Sequence, residues 1–301
     1  MNKNLNIGVI ILTYNEEIHI ARCINSIKAI ASQIFVIDSY STDKTVAIAK
    51  RMGAVVLQNT WEDNHAKQLN WGLTHAHFTT DWVLRIDADE ILTPELVDEM
   101  IVKVPVLSKD VTGVVIPRYN YFMGKKIKRG TGVLKILRLF RTHKAVCENR
   151  MMDEHMVLLE GHSVEFSNAM VDHNLNNLTW WTTKHNNYSN REMISLICDE
   201  FDLNMKSSHN ETLSSAAKNK RKLKSKYARM PLFWRAGGYF FYRYILKGGF
   251  LEGKEGFLWH FLQGFWYRIL VDAKIYEIKK ACGNDKAAIK NYIKQNYTIE
   301  I

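Results

Sequence analysis

Apolar runs and helical patterns alternate along the first hundred residues, and this alternation limits the fold more than any other feature. Residues 7–14, IGVIILTY, form a continuous apolar run rich in isoleucine, which is typical of a strand covered on both faces. Apolar residues then recur at helical spacing from Ile18 to Ala31, and residues 33–39, QIFVIDS, return to a strand pattern. Strands that alternate with short helices require crossover connections, which favours a mainly parallel sheet.

Further strand and helix units follow. Ser41 or Thr42 is a suitable N-cap for a helix in DKTVAIAKRM, Gly53 is a suitable helix stop, and AVVLQ is the next strand. We predict another helix over 65–76 and a strand at WVLRID, residues 82–87. The sequence therefore predicts an α/β fold in which helices cover both faces of a mainly parallel sheet. In such sheets, ligands bind beyond the carboxyl ends of the strands.

The composition is that of a folded globular protein with an acidic partner. The chain has 301 residues, of which 47% are hydrophobic and 24% charged, enough for one large domain and an appendage. Its formal net charge of +10 favours a nucleotide, a nucleic acid or an anionic membrane. The four cysteines are widely spaced, and neither a signal-peptide pattern nor a long uninterrupted apolar run occurs. We therefore expect a protein of the reducing cytoplasm.

Acidic side chains stand where two of the predicted strands end. Asp38 ends the second strand, and Asp87 and Asp89 end the fourth, so all three should project into the ligand crevice. Asp87 and Asp89 can turn towards one Mg²⁺ or Mn²⁺, which usually binds together with a phosphate. The alternative is that Asp38 caps the next helix, and that the stretch DADE is a solvated turn before a helix capped by Thr93.

Other phosphate-binding motifs are missing from the sequence. There is no G-x-x-x-x-G-K-[ST] loop, and TYNEE stands where G-x-G-x-x-G would follow the first strand. The sequence therefore argues against a kinase, a P-loop NTPase and a dinucleotide oxidoreductase.

Four blocks, in order along most of the chain, resemble the family 2 glycosyltransferases. They are VIILTYNEE, VIDSYSTDKT, DWVLRIDADE and, far downstream, GGFLEGKEGFLWHFLQGFWYRILVDAKIYE. The strongest resemblance is to the branch that includes lipopolysaccharide core glucosyltransferases. It implies a GT-A fold, a nucleotide-diphosphate sugar donor, Mg²⁺ or Mn²⁺ as cofactor, and inversion at the anomeric carbon.

The resemblance also implies a set of donor contacts. They are Thr13, Tyr14, Glu16, Asp38, Lys67, Gln68, Asp87 and Lys184. Tyr14 would stack on the base, and Asp38 matches an aspartate that accepts a hydrogen bond from a uracil N–H, which favours UDP. Many relatives carry an arginine at the position of Leu69, so Lys67 and Gln68 are candidates to replace its diphosphate contact. A plain amphipathic helix would explain residues 65–76 as well.

By the same resemblance, the metal ligands would be Asp87, Asp89 and His173. A histidine after an apolar pair is also common as a hydrogen-bonded core residue, so that reading of His173 stays open. Lys184 and Tyr188 repeat a family pattern that contacts the acceptor or the diphosphate. Arg138 fits the same description, or is an arginine whose stem lies beside an apolar strand.

Inverting transfer also needs a base that removes the proton of the acceptor hydroxyl. Relatives often carry a His-Glu pair where this chain has Asp153 and Glu154. We predict Glu154 as the catalytic base, with Asp153 as the second candidate. The alternative is that the stretch MMDEHM is a solvated acidic turn.

The character of the sequence changes at about residue 205. A basic tract over 218–229 precedes a segment in which aromatic residues alternate with arginine, lysine and glycine. We expect this segment to lie on an anionic membrane surface, with its aromatic side chains in the headgroup layer. The aromatic residues meant are Trp234, Phe240, Phe241 and Tyr244. Packing of a helical hairpin on the catalytic domain, or an oligomer interface, would explain them equally well.

These features predict a GT-A catalytic domain over 1–205 and a basic helical region over 206–301. The catalytic domain would have a nucleotide-sugar-binding half, 1–110, and an acceptor half, 111–205. We predict a metal-dependent, inverting hexosyltransferase, peripheral on the inner face of the plasma membrane. Its donor would be a UDP-sugar such as UDP-glucose, and its acceptor a lipid-linked or envelope glycan such as lipopolysaccharide core.

Three alternatives remain at this stage. A peptide or protein glycosyltransferase would have the same fold. A nucleic-acid-binding protein would explain the lysines, but no helix-turn-helix, RRM or zinc-finger pattern accompanies them, so we expect no nucleic acid partner. A catalytically inactive scaffold is disfavoured by the intact D-A-D stretch and Glu154.

Overall fold

The computed structural model describes residues 5–130, 133–148, 154–203, 223 and 226–297. The strands in these ranges are β1 (Ile7–Thr13), β2 (Ala31–Asp38), β3 (Val55–Gln58), β4 (Trp82–Asp87), β5 (Glu90–Leu92), β6 (Val111–Phe122), β7 (Lys125–Ile127), β8 (Leu134–Arg141), β9 (Ala145–Cys147), β10 (Met156–Leu158), β11 (His162–Glu165) and β12 (Met170–His173). The α-helices are α1 (Ile20–Ile27), α2 (Thr45–Arg51), α3 (His65–His75), α4 (Pro94–Lys103), α5 (Leu178–Phe201), α6 (Trp234–Phe241), α7 (Gly253–Phe261), α8 (Tyr267–Cys282) and α9 (Lys286–Tyr297). One π-helical turn follows α6 at Tyr242–Leu246, and another follows α7 at Leu262–Trp266.

One mixed sheet dominates the described structure. Its strand order is β3-β2-β1-β4-β8-β6-β12-β5, and β7 and β11 also pair with β6. The four strands β3, β2, β1 and β4 are parallel, whereas β8 runs antiparallel to β4 and to β6. Thr13 pairs with Asp38, and Leu12 pairs with Asp87, so the ends of three parallel strands meet at one edge of the sheet. This edge is where the sequence predicted the ligand.

Helices cover both faces of the sheet because the side chains of a strand alternate between its faces. Val9 belongs to the core that includes the buried α1 residue Ile24, whereas Ile10 belongs to a second core with Leu69 of α3. Helix α3 approaches the sheet closely at Gly72, where a Cβ atom would lie 2.6 Å from the Ile37 side chain. The predicted α/β architecture is therefore confirmed.

The ends of two predicted helices were wrong. Helix α1 spans Ile20–Ile27, and Ala31, predicted as helical, begins β2 after a turn closed by the amide of Ile30. Helix α2 begins at Thr45 and is not capped by the predicted Ser41 or Thr42. The amide and hydroxyl of Ser41 instead donate to Asp38, so this side chain serves the strand end rather than the helix.

The predicted start of α4 is correct. Thr93 is its N-cap, with its side-chain oxygen accepting from the amide of Leu96 at 3.3 Å, and Pro94 is its first residue. A proline fits there because the first amides of a helix have no partner within the helix.

The C-terminal helices pack against α5. Glu192 of α5 accepts hydrogen bonds from Tyr267 at 2.6 Å and from Arg268 at 2.7 Å. Arg235 of α6 and Asp272 of α8 form a buried ion pair at 2.5 Å. No helix in the described parts of the chain is long and apolar enough to span a bilayer. The sheet contains strands from both predicted halves, 1–110 and 111–205, and the proposed domain boundaries stay a prediction.

Candidate active site

Asp38 lies in a buried polar network at the carboxyl edge of the sheet. Its carboxylate accepts hydrogen bonds from the Thr13 hydroxyl at 3.0 Å, the Ser41 amide at 2.9 Å and the Gln58 side chain at 3.2 Å. The buried Gln68 extends the network by donating to the Ser39 hydroxyl at 3.0 Å. The structure thus brings together the predicted donor residues Thr13, Asp38 and Gln68.

Three other predicted donor residues surround this network in different ways. Tyr14 follows β1, and its side chain is 60% exposed. The Glu16 carboxylate lies 2.5 Å from Nδ1 of the fully buried His19, whose Nε2 accepts from the Leu175 amide. Lys67 forms an exposed ion pair with Glu62 at 2.8 Å.

Asp87 ends β4 between two arginines. Nη2 of Arg138 lies 3.0 Å from Oδ2, and Nη2 of Arg85 lies 3.7 Å from Oδ1. Burial disfavours the charged carboxylate, but Arg138 and Arg85 outweigh burial and hold the pKa of Asp87 well below its usual range. Asp87 is therefore an anion at neutral pH.

Glu90, the third acid of the stretch DADE, is part of the core. It is fully buried and accepts hydrogen bonds from Arg118 at 2.8 Å, from Arg138 at 2.6 Å and from the Asp87 amide at 2.9 Å. Burial raises its pKa, and the nearby Asp87 adds to this effect, although Arg138 opposes it. The stretch is therefore not the solvated turn that the sequence left open.

Asp89 and His173 are neighbours. The amide of His173 donates to the backbone oxygen of Asp89 at 3.0 Å, and the Asn174 side chain donates to its carboxylate at 3.1 Å. Burial, together with the charge of Arg22, lowers the pKa of His173, so its imidazole is neutral at pH 7. The structure thus brings two of the three predicted metal ligands side by side.

The donor set at these strand ends fits a divalent cation shared with a phosphate. Oδ1 of Asp87 is buried and accepts no hydrogen bond, which leaves an anionic oxygen for a ligand. In the described part of the chain, no three histidine, cysteine or acidic side chains are grouped so as to hold a metal. The predicted trio of Asp87, Asp89 and His173 is thus not assembled as a three-ligand site in these ranges. Mg²⁺ commonly binds through one or two carboxylates plus substrate phosphates, so Asp87 and Asp89 stay the predicted ligands.

Glu154, the predicted base, lies near Asp87. Its Oε1 is 4.0 Å from Nη2 of Arg85, and its side chain is 19% exposed. Beside it, burial lowers the pKa of His65 although Glu154 and Asp87 oppose this, so His65 is neutral. The other predicted base, Asp153, lies outside the described residues.

Lys184 of α5 brings a positive charge to this group of acids. Burial would lower its pKa, but Tyr188 and the carboxylates of Asp89 and Glu16 outweigh burial and raise it. Its ammonium group also lies 4.6 Å from the centre of the Trp180 ring. Lys184 also lies 5.8 Å from the centre of the Tyr188 ring, so these two predicted residues are neighbours on α5.

Sequence reasoning missed Arg85, His65 and Asn70. Asn70 of α3 both donates to the backbone oxygen of Cys147, at 2.7 Å, and accepts from its amide, at 2.9 Å. These two hydrogen bonds hold β9 in place. Strand β9 pairs with β10, which begins two residues after Glu154. An arginine inside an apolar strand was a usable signal for Arg85, whereas nothing local marked His65 or Asn70.

A family model described as glycosyl transferase family 2 matches residues 8–159. The chain belongs to this family. The matched range begins in β1 and includes Asp38, Asp87, Asp89 and Glu154. Together with the observed sheet, the match confirms the predicted family and the predicted GT-A class of α/β fold with a helical C-terminal region.

This family 2 transferase is similar to several curated bacterial proteins over part of its length. It is 44% identical over 102 residues to an uncharacterized glycosyltransferase of Rickettsia conorii, which covers 33% of this chain and 35% of the relative. It is 36% identical over 87 residues to the SPbeta prophage-derived glycosyltransferase SunS of Bacillus subtilis, covering 28% and 20% of the two chains. The chain thus matches about a third of the length of the Rickettsia relative.

Solved structures also resemble the transferase over part of the chain. Glucosyl-3-phosphoglycerate synthase from Mycobacterium tuberculosis, in complex with Mn²⁺, UDP and glucosyl-3-phosphoglycerate, has a TM-score of 0.32 and 24% identity. The match covers 40% of this chain and 45% of the synthase. Mannosyl-3-phosphoglycerate synthase from Rubrobacter xylanophilus has a TM-score of 0.31 and 23% identity, over 38% and 40% of the two chains.

Proposed function

We propose that this transferase moves a hexosyl group from a UDP-sugar, with UDP-glucose as the preferred donor, to a glycan of the cell envelope. The transfer inverts the anomeric carbon and uses Mg²⁺ or Mn²⁺. The observation that carries the proposal is the anionic Asp87, whose buried Oδ1 has no hydrogen bond, at the carboxyl edge of the sheet. The preferred acceptor is a lipid-linked glycan such as lipopolysaccharide core, in line with the branch that the sequence resembles.

The network around Asp38 supports uridine as the base. Thr13 and Ser41 hold the carboxylate in place, and the longest of its hydrogen bonds, 3.2 Å, comes from Gln58 at the protein surface. A uracil N–H can replace this one bond without disturbing the others. The exposed ring of Tyr14 is then available to stack on the base.

The acids and the lysine divide the work at the diphosphate. Asp87 and Asp89 would hold the divalent cation, which neutralises negative charge on the departing diphosphate. Lys184 is held as a cation beside Asp89 and supplies a second positive charge. Since Arg138 and Arg85 keep Asp87 ionised, the site is set to bind a cation at neutral pH.

Glu154 would act as the base in the transfer step. The acceptor oxygen forms its bond to the anomeric carbon while the bond from that carbon to the phosphate oxygen breaks, and the acceptor proton passes to Glu154. Arg85 lies 4.0 Å from Glu154 and 3.7 Å from Asp87, so one side chain links the base to the donor site. The neutral His65 adds no positive charge beside Glu154.

Two variants test these assignments separately. We expect Asp89→Asn to abolish Mn²⁺-dependent UDP binding, measured by calorimetric titration with and without the metal. Glu154→Gln should bind UDP with Mn²⁺ normally but transfer or hydrolyse UDP-glucose at least 100-fold more slowly, since general base catalysis typically contributes about 10²–10⁴-fold.

Glu160→Gln serves as the control, because Glu160 forms a surface ion pair with Lys144 at 2.7 Å and should be dispensable. Normal turnover by Glu154→Gln would refute the assignment of Glu154 as the catalytic base. If the unchanged protein binds UDP equally well with and without Mn²⁺, the proposed metal dependence is refuted. If the protein glycosylates peptide acceptors but no glycan acceptor, the proposed acceptor class changes from an envelope glycan to a peptide.

A further inference from the structure

The C-terminal helices expose a concentrated set of apolar side chains. We call it the aromatic face, and it consists of Trp234, Phe241, Tyr242, Ile245, Leu246, Phe250, Leu251, Phe257 and Phe261. Trp234 is 82% exposed, Leu246 65% and Phe241 54%. A contiguous apolar surface of this kind marks an interaction site more often than a free surface.

Ring contacts make the aromatic face continuous between two helices. Tyr244, in the turn after α6, lies 6.4 Å from the ring of Phe250 and 5.7 Å from that of Phe257. Phe240 of α6 lies 6.3 Å from Phe261 of α7, and Phe257 stacks on Phe261 at 5.8 Å. The half-buried Phe240 and Tyr244 therefore connect the exposed Phe250, Phe257 and Phe261, and Phe241 and Ile245 directly follow them in the chain.

The aromatic face is firmly supported from below. Buried Glu252 accepts from the Lys128 amide at 3.1 Å, and its backbone oxygen accepts from Lys125, so the start of α7 is tied to the β6–β7 hairpin. The helix is packed so closely that a Cβ atom on Gly256 would lie 2.0 Å from that of Glu252. The exposure of the aromatic side chains is thus a property of a packed structure.

The charges around the aromatic face match anionic headgroups. Residues 226–261 contain only two acids, Glu252 and Glu255, and both contact Lys125. The exposed cations of this segment are Lys226, Arg229, Lys247 and Lys254. Lys247 also lies 5.5 Å from the centre of the Tyr242 ring, so a cation stands at the border of the aromatic area.

We propose that the aromatic face lies on the surface of a bilayer that contains anionic lipid. Aromatic side chains with one polar end are stable at the headgroup level, and lysines are attracted to an anionic surface. The inference rests on the C-terminal helices alone and is independent of the donor and the base.

Contacts link this surface to the active site. Phe122, at the end of β6, lies 5.4 Å from Trp259 of α7 and 5.8 Å from Trp181 of α5. Helix α5 carries Lys184 three residues further on. The aromatic face is therefore held in a fixed position relative to the site, which suits an acceptor that is itself anchored in the bilayer.

Flotation of the full chain with vesicles tests the proposal. The unchanged protein should float with vesicles of phosphatidylcholine and phosphatidylglycerol at 7:3, and much less with phosphatidylcholine alone. We expect Trp234→Ala/Phe241→Ala, and separately Lys247→Glu/Lys254→Glu, to weaken binding roughly tenfold or more. Both variants should hydrolyse UDP-glucose at the unchanged rate, which separates this test from that of the proposed function.

Val102→Ala/Val106→Ala is the matched control, because these exposed apolar side chains lie near the end of α4 and just after it, outside the C-terminal helices. Undiminished flotation of Trp234→Ala/Phe241→Ala would overturn the proposal. Light scattering supplies a second outcome. The unchanged protein could instead form a dimer that Trp234→Ala/Phe241→Ala dissociates, and fail to bind vesicles. That result would assign the aromatic face to self-association and overturn the proposal of membrane binding.

Discussion

The two acids Asp87 and Glu90 lie three residues apart and have opposite environments. Asp87 is held ionised by Arg138 and Arg85, and one of its oxygens is left without a hydrogen bond. Glu90 is enclosed, and both of its oxygens are already bonded within the chain. The difference makes Glu90 a structural residue and leaves Asp87 as the residue that we propose to bind a ligand.

Glu90→Gln should therefore destabilise the fold more than it changes chemistry. The substitution removes the charge that Arg118 and Arg138 share, and breaking a buried ion pair typically costs about 3–5 kcal/mol. We expect a lower free energy of unfolding in urea, together with weaker UDP binding because Arg138 also positions Asp87. Asp98→Asn on the exposed side of α4 is the control, and equal stability of the two variants would contradict the structural role.

At the level of secondary-structure elements, the sequence predicted features that depend on local patterns but not those that depend on long-range contacts. Strands β1 and β4 and the Thr93 cap follow from patterns within ten residues. The positions of Asp38 and Asp87 at one edge follow from parallel pairing. Arg85 and Arg138 could not be placed, because their roles depend on which strands become neighbours in the mixed part of the sheet.

The predicted cap of α2 failed for a related reason. Ser41 is a good capping residue by type, but the buried carboxylate of Asp38 competes for it and has the stronger demand for donors. The nucleotide and metal roles of the individual residues stay predictions, since they concern partners rather than packing.

Helix α3 is bonded to the β9–β10 hairpin, which lies next to Glu154, the proposed base. We expect Asn70→Ala to release β9, because it removes both hydrogen bonds to Cys147. Turnover should fall at least tenfold while the Kd for UDP with Mn²⁺ stays within about twofold, as measured by steady-state kinetics and calorimetry. Thr74→Ala, on the same helix, removes only a bond to the backbone of Asn70 and is the control. An equal loss of UDP binding in Asn70→Ala would show that α3 serves the donor instead.

For the whole molecule, one consequence of burial is sensitivity to acid. Burial, helped by the nearby Arg243, lowers the pKa of His260 to about 4, and burial likewise lowers the pKa of His185 to about 4. An unfolded histidine titrates near 6.5, so the unfolded chain binds more protons between these values. The stability from the neutral rings is complete above about pH 6.5 and is lost as the pH falls towards 4.

His260→Leu should reduce this dependence. The drop in Tm between pH 7.5 and pH 5.0 should be smaller in the variant than in the unchanged protein, because the protonation of one buried histidine no longer favours the unfolded chain. The exposed His75→Gln should leave the drop unchanged. If His260→Leu also leaves it unchanged, His260 does not control acid unfolding.

The length of α5 gives the molecule a mechanical property. Its first half carries Lys184 and Tyr188 beside the acids, and its second half buries Ile194 and Ile197 among the C-terminal helices. The thirteen residue steps from Lys184 to Ile197 span about 20 Å of helix. The C-terminal half of α5 is held by hydrophobic packing. Substitutions around Ile197 can therefore shift the whole helix, and Lys184 with it, without touching the sheet. Binding of the donor diphosphate, in which we propose a role for Lys184, can therefore change through core residues remote from the sheet.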